Sequence, residues 1–416
     1  MERYDLIVVG GGLTGVAAAV SAAREGVKTL LVERTGWLGG AMSNSLVYPF
    51  MEWWTPKKGE NVKELSDGIF TEMRERASKY SIPDKKHHFA PEYFKFVLDD
   101  MVEEAGVEVL YHANLCKVNT EENRVTNLVF AVKSGLLELE ADSYIDTTGD
   151  GDLMAFAGCD YQLGRDGDGY CQPMTTCFRL YNVKEEEFLK ELPAMQAEYK
   201  KRQAEGKIIN PRENLLIFRG IGKGVVHFNT TRVIKHNPTD PFDVSKAEVL
   251  ARKQIRELIC FLKEYESCKN AEIMAIAPDI GVRESRKLKG VHILTQEELK
   301  DCTVFEDSIA LGNYDIDIHN PAGSGTSHYY FEDGTYYTIP YRSLVPKEYN
   351  NLLVAGRCIS ATHEAQASIR IMPICATLGQ AAGTAVAVMK KNGENNKTVN
   401  IKELQSLLEK RGAAIR

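Results

Sequence analysis

The chain has 416 residues, of which 44% are hydrophobic, and a formal net charge of −7. That length exceeds one typical domain and is enough to bury a sizeable core. Lys, Arg, Asp and Glu are spread without a basic block, which argues against nucleic acid or an anionic membrane as partner. Nine cysteines, none in a C-x-x-C pair, fit reduced thiols in a cytoplasmic protein better than a disulfide framework, and no metal site is expected. No run of about 18 purely apolar residues marks a membrane span.

Residues 4–9 are an apolar run, and Gly10, Gly12 and Gly15 follow as G-x-G-x-x-G. Residues 13–24 are small and helix-forming, and residues 27–32 are apolar again before Glu33. Strand, glycine turn, helix, strand and acid together form the pattern that holds a dinucleotide. Gly10 permits the turn, Gly12 lets a pyrophosphate approach the backbone, and Gly15 lets the helix pack closely. The helix N-terminus offers N–H groups and a partial positive charge to phosphates. Glu33 is placed to accept from a ribose diol, and its charge repels a 2′-phosphate, which argues against NADP. The first strand starts at Tyr4, so no cleaved signal peptide is expected before it.

Glu33, Arg34 and the pair Gly39–Gly40 resemble the segment after the second strand in FAD enzymes of the glutathione-reductase-like superfamily. Tyr48, Phe50, Trp53 and Trp54 then form an aromatic patch, read equally well as a substrate-cavity wall or as a packed loop. Residues 61–80 have helical periodicity, and residues 81–90 form a polar loop whose His87 and His88 are expected in solvent. Residues 91–105 make an amphipathic helix with Pro91 in its first turn. Strands are predicted near 107–111, 115–118, 125–132 and 136–139, a β-meander inserted into the nucleotide domain.

The string Asp146-Thr147-Thr148-Gly149-Asp150-Gly151-Asp152 ends a further strand and resembles the second diphosphate-contacting motif of the same superfamily. Beyond it the pattern changes. Residues 185–205 and 245–266 are long charged helices, compatible with a homodimer contact, and residues 208–233 alternate like strands. We therefore divide the chain into an FAD-binding domain, 1–160 and 341–416, and a substrate or cap domain, 161–340.

Several charged residues near the end of the cap are candidates for chemistry. Arg283 and Arg286 stand three apart; Asp315, Asp317 and His319 alternate onto one strand face; Arg342 follows an aromatic segment. Arginines facing a cavity can hold a carboxylate in bidentate fashion, and surface ion pairing is the alternative. A strand ending at Gly356 leads into a loop with His363, Glu364, Ser368 and Arg370, then an apolar helix opened by Pro373.

Taken nearly end to end, the chain resembles the bacterial FAD-dependent oxidoreductase family and, more distantly, fumarate reductase flavoproteins. The resemblance implies an α/β fold: a Rossmann-like FAD-binding domain, a parallel sheet with an inserted meander, plus an α+β cap. It implies FAD contacts at Gly10, Gly12, Leu13, Thr14, Gly15, Glu33, Arg34, Gly39, Gly40, Val118, Thr148, Gly149, Asp150, Gly356 and Met372. Arg370 is placed like a substrate arginine of the fumarate reductases, but the G-G-N-S-L string that follows it there is missing, so that reaction does not carry over.

The resulting expectation is an FAD-dependent oxidoreductase exchanging a hydride between flavin N5 and a small organic substrate between the two domains. Arg283, Arg342 and Arg370 would bind the substrate, and His319 or His363 would move a proton. Two other readings stay open: the flavin subunit of an electron-transfer complex with a partner protein, and an FAD-binding protein with a non-redox role.

Overall fold

A computed structural model describes residues 3–58, 62–80 and 87–416. Its centre is a five-stranded parallel sheet in the order Leu352–Val354, Ala141–Asp146, Tyr4–Val9, Thr29–Val32, Glu108–Leu110. Leu6, Ile7, Val8, Leu30 and Leu31 are buried, as continuous apolar strands covered on both faces should be.

The helix Leu13–Ala23 lies on one face of this sheet and packs along Met372–Asn392. Glycine makes that approach feasible: a Cβ on Gly379 would fall 2.1 Å from the Thr14 carbonyl, and one on Gly383 2.0 Å from that of Ala18. Met372–Asn392 is long and apolar enough by composition to cross a membrane, yet 94% of its most apolar stretch is buried. The opposite face carries the antiparallel meander Asn114–Glu121, Arg124–Val132, Gly135–Leu139.

The region expected to form the cap contains a four-stranded antiparallel sheet in the order Ile217–Phe218, Val226–Phe228, Phe178–Tyr181, Glu272–Ile276. Helices Glu185–Ala204 and Pro241–Leu262 cover one face and bury Phe188, Met195, Tyr199, Ile255, Leu258 and Phe261 against Phe178, Leu180, Val226 and Phe228. Asp240 caps the second helix, accepting from Phe242 N and Asp243 N. Leu294, Leu299, Ile309, Ala310, Tyr337 and Ile339, placed in the cap by the sequence, pack instead in the core of the nucleotide-binding part.

Several expectations need correction. Of residues 61–80, only Ile69–Ser78 is helical; Lys63–Glu64 pairs as strand with Trp54–Thr55, and Asn61 lies outside the described residues. Residues 81–86 of the expected polar loop also lie outside them. His87 and His88 are partly buried and hydrogen-bonded, not fully in solvent. His87 Nδ1 is 3.1 Å from the Phe50 carbonyl, and His88 Nδ1 bonds the Tyr48 hydroxyl. The aromatic patch is packed: Phe50 stacks on Phe89, and Trp53 meets Trp54 and Phe70 edge-on. His363 and its neighbours form a short helix, His363–Ile369, not a loop.

Candidate active site

One elongated cavity of about 610 Å³ runs across the carboxyl ends of the parallel strands, where open α/β sheets bind ligands. The first turn contributes Gly10, Gly12, Leu13 and Thr14; the second strand end contributes Glu33 and Arg34, followed by Gly39 and Gly40. Thr148, Gly149 and Asp150 come from the turn after Ala141–Asp146, and Gly356 and Met372 from the last strand and helix. Asn44, Ser45, Asp279, Ile280 and Val282 complete the wall from helix Ala41–Asn44 and the cap.

Local geometry explains the glycines. Gly10 has φ +105°, and a Cβ there would meet the Thr147 carbonyl oxygen at 2.5 Å. A Cβ on Gly12 would meet only Gly40 Cα, at 3.8 Å; it would stand over the backbone that an incoming phosphate must approach. Gly39 N donates to Gly11 O at 2.8 Å, tying the two glycine segments together. Helices Leu13–Ala23 and Met372–Asn392 both begin at the cavity, and neither has a side-chain cap. Two sets of free N–H groups thus face one space, an arrangement suited to anionic groups.

Two expected contacts lie elsewhere. Gly15 is under the turn, where its Cβ would be 1.8 Å from Gly10 O; its role is close packing. Val118, expected to meet the adenine by its backbone, has its side chain buried among meander and sheet side chains, and Ala113, Asn114 and Leu115 line the cavity. Glu33 lines the cavity but also braces the turn: Oε2 accepts from Gly11 N at 2.7 Å, and Oε1 from Thr35 N and Oγ1 at 2.8 Å. Oε1 already accepts two hydrogen bonds, and Oε2 keeps a lone pair for a further donor.

Sequence reasoning missed a cation at this site. Arg357 lines the cavity, donating from Nη2 to Asp150 Oδ1 at 2.7 Å and from Nη1 to Ser285 Oγ at 3.0 Å. Its position directly after Gly356 was the available signal. Arg286 reinforces the same turn through Asp152 Oδ1 at 2.8 Å and Asp150 O at 3.1 Å. Behind it Asp146 is fully buried and accepts from Thr148 N, Thr148 Oγ1 and Met154 N. Burial pushes this carboxyl up to about 6, against those hydrogen bonds.

The five candidates for chemistry separate clearly. Arg370 lines the cavity; Nη2 reaches Asp317 Oδ2 at 3.2 Å, while Nε has no protein partner among the described residues. Arg283 donates to Pro173 O and Thr175 Oγ1, both at 2.6 Å. Burial and repulsion from Arg370, Arg212 and Arg232 push its guanidinium down to about 9. His363 Nδ1 is 2.8 Å from Glu284, and no protein group bonds its Nε2 among the described residues.

The other two do not fit their expected roles. Arg342 is a half-exposed partner of Asp307, with Nε 2.9 Å from Oδ2, and is the surface ion pair that the sequence left as the alternative. His319 has both nitrogens engaged, Nδ1 by Arg232 Nη2 at 2.9 Å and Nε2 by Asp317 Oδ2 at 3.3 Å. Burial and nearby Arg283 push its pKa down to about 3, so it is neutral near pH 7. The strand face bearing Asp317 and His319 is buried, not solvent-facing.

A model of the family described as FAD dependent oxidoreductase matches residues 5–408. The chain belongs to this family. Its cofactor is FAD, and it is an enzyme of oxidoreductase type.

A glutathione reductase of Yarrowia lipolytica is 34% identical over 125 residues, 29% of this chain and 24% of that one. A dihydrolipoyl dehydrogenase of Trypanosoma brucei brucei is 54% identical over 41 residues, 10% of this chain and 9% of that one. These alignments span a quarter or less of either relative. Among solved structures, a geranylgeranyl bacteriochlorophyll reductase-like protein of Thermoplasma acidophilum has 12% identity and a TM-score of 0.49, covering 99% of this chain and 85% of that one.

The residues of this FAD-dependent oxidoreductase fit its cofactor. The uncovered backbone at Gly12 and the uncapped start of helix Leu13–Ala23 suit a diphosphate, and Glu33 suits a ribose. The Met372 helix start supplies a partial positive charge at the other end, where a flavin ring would gain from it.

Proposed function

We propose that this FAD-dependent oxidoreductase acts on a small organic substrate bound between the cap face and the Arg370 end of the cavity. Bound FAD would supply the redox chemistry, a hydride exchange at its N5. The single observation that carries the reading is Arg370, a cavity-wall guanidinium paired with the carboxylate of Asp317. Such a group can receive a substrate carboxylate or carbonyl oxygen. Arg283 adds positive charge from the cap side. His319, with both nitrogens occupied, holds Asp317 in place, which leaves His363 as the imidazole for proton transfer through Nε2.

The test is anaerobic titration of the flavin-loaded enzyme with small organic acids, hydroxy acids and alcohols, followed by bleaching of the flavin absorbance. Bleaching by one of these, slowed about 10–100-fold in Arg370→Gln with flavin content unchanged, is the expected result. Bleaching by a reduced iron–sulfur protein alone would instead make the chain a subunit of an electron-transfer complex.

A further inference from the structure

Asp150, in the turn after strand Ala141–Asp146, puts a carboxylate into the wall of the cofactor cavity. Glu33, Asp152, Glu248 and Asp279 line the same cavity. A diphosphate held among carboxylates is repelled unless a cation stands beside it. Four guanidinium groups reach these walls, those of Arg34, Arg286, Arg357 and Arg370, and no lysine does so among the described residues.

The four differ in place and in freedom. Arg34 pairs with Asp279 next to Glu33, and Arg370 pairs with Asp317 where helix Met372–Asn392 begins. Arg286 is turned to Asp152 Oδ1 and the Asp150 carbonyl, and its Nε is buried without a partner among the described residues. Arg357 lies between the two ends. Its neighbour Gly356 sits against the start of helix Leu13–Ala23, where a Cβ would be 3.0 Å from Thr14 Oγ1. Its guanidinium rests on the bare Cα of Gly149, where a Cβ would be 3.2 Å from both Nε and Nη2. Arg357 therefore stands between the Gly149 turn and the uncapped helix start at Gly12, the place that suits a diphosphate.

The guanidinium is fixed there by a closed triangle of hydrogen bonds. Ser285 Oγ and Arg357 Nη2 donate to Asp150 Oδ1 at 2.6 and 2.7 Å, and Arg357 Nη1 donates to Ser285 Oγ at 3.0 Å. These bonds use two of its five N–H groups, and no other protein group accepts from it among the described residues. The side chain keeps 19% of its surface accessible in the cavity wall, so the remaining donors are within reach of a ligand.

We infer that Arg357 is a cofactor-binding residue whose free N–H groups receive the FAD diphosphate. Asp150, expected to touch the cofactor, is a positioning residue that holds Arg357 together with Ser285. Arg357 has two tasks: it donates to the anion, and it neutralises the carboxylate that would otherwise repel that anion. The inference concerns the cofactor alone and is independent of the substrate proposed above.

The test uses the full chain freed of flavin and calorimetry with two probes. ADP carries the adenosine diphosphate half of FAD, and adenosine lacks the phosphates. Wild type is expected to bind ADP about 10–100-fold tighter than adenosine. Arg357→Met should remove most of that advantage and leave adenosine binding within about twofold. Adding Asp150→Asn should recover at least about threefold in ADP affinity, because the stranded carboxylate is then gone. Asp150→Asn alone should keep the ADP advantage, since Ser285 still holds Nη1. No ADP advantage in wild type, an advantage surviving in Arg357→Met, a double variant no better than Arg357→Met, or loss of the advantage in Asp150→Asn alone would each overturn the inference. A shifted flavin reduction potential in Arg357→Met with ADP affinity unchanged would place Arg357 against the flavin ring and overturn it too. Should the flavin-free protein or Arg357→Met not fold, FAD release from the loaded enzyme on dilution, read by flavin fluorescence, decides. Arg357→Lys should release FAD about tenfold faster than wild type and Asp150→Asn no more than about threefold faster; unchanged release in Arg357→Lys would contradict the inference.

Discussion

His363 Nδ1 lies 2.8 Å from Glu284, and the same carboxylate holds Lys287 Nζ at 2.5 Å. Glu284 and Lys287 are both fully buried. Burial works against the Glu284 charge, but the His363 hydrogen bond and the Lys287 ammonium outweigh it and hold the carboxyl below its ordinary range. Removing one partner of such a pair strands the other. Lys287→Met alone should cost about 3–5 kcal/mol, and adding Glu284→Gln should recover most of it. Guanidinium denaturation of wild type and the two variants checks this; a double variant no more stable than Lys287→Met would contradict it.

Arg342 and Arg370 make a contrast that sequence alone does not. Arg342 pairs with Asp307 at the surface, so Arg342→Ala should change stability by less than about 1 kcal/mol and leave substrate turnover unchanged. Steady-state kinetics beside Arg370→Gln, which should lose turnover, reads the difference directly.

Gly379 has its hydrogen against the Thr14 carbonyl, and Thr14 lines the cofactor cavity. Gly379→Ala should push the two helices apart, costing about 1–3 kcal/mol and lowering the flavin-to-protein ratio. Thermal unfolding together with the absorbance ratio measures both effects.

His227 supplies a pH prediction. Burial, aided by Arg179, pushes its pKa down to about 3 from the ordinary 6.5. A depressed histidine contributes stability that is fully present above pH 6.5 and lost as pH falls toward 3, because the unfolded chain takes the proton first. Between pH 6.5 and 5 the loss is about 2 kcal/mol. His227→Gln should therefore lose less stability than wild type over that interval; parallel curves would show that His227 is not held neutral by the fold.

The legible parts of the site were those in which a short contiguous string sets its own geometry. The turn through Gly10 and Gly12, the acid Glu33, the pair Gly39–Gly40, the string after Asp146 and the strand end at Gly356 all reach one cavity. What failed depended on tertiary placement. Val118 and Leu115 lie on one strand, and only the sheet's position over the turn decides which faces the cavity. Arg342 and Arg370 look alike until one is found at the surface and the other in a wall. His319 seemed a titrating imidazole because nothing near it in sequence announced Arg232 and Arg283. Arg179 and His227 become neighbours only when two strands pair.

The most direct measurement is an absorbance spectrum of the purified protein before and after acid precipitation. The account predicts the two visible-range flavin bands in the native protein and their release into the supernatant. Absence of those bands, even after the protein is incubated with FAD, would contradict it.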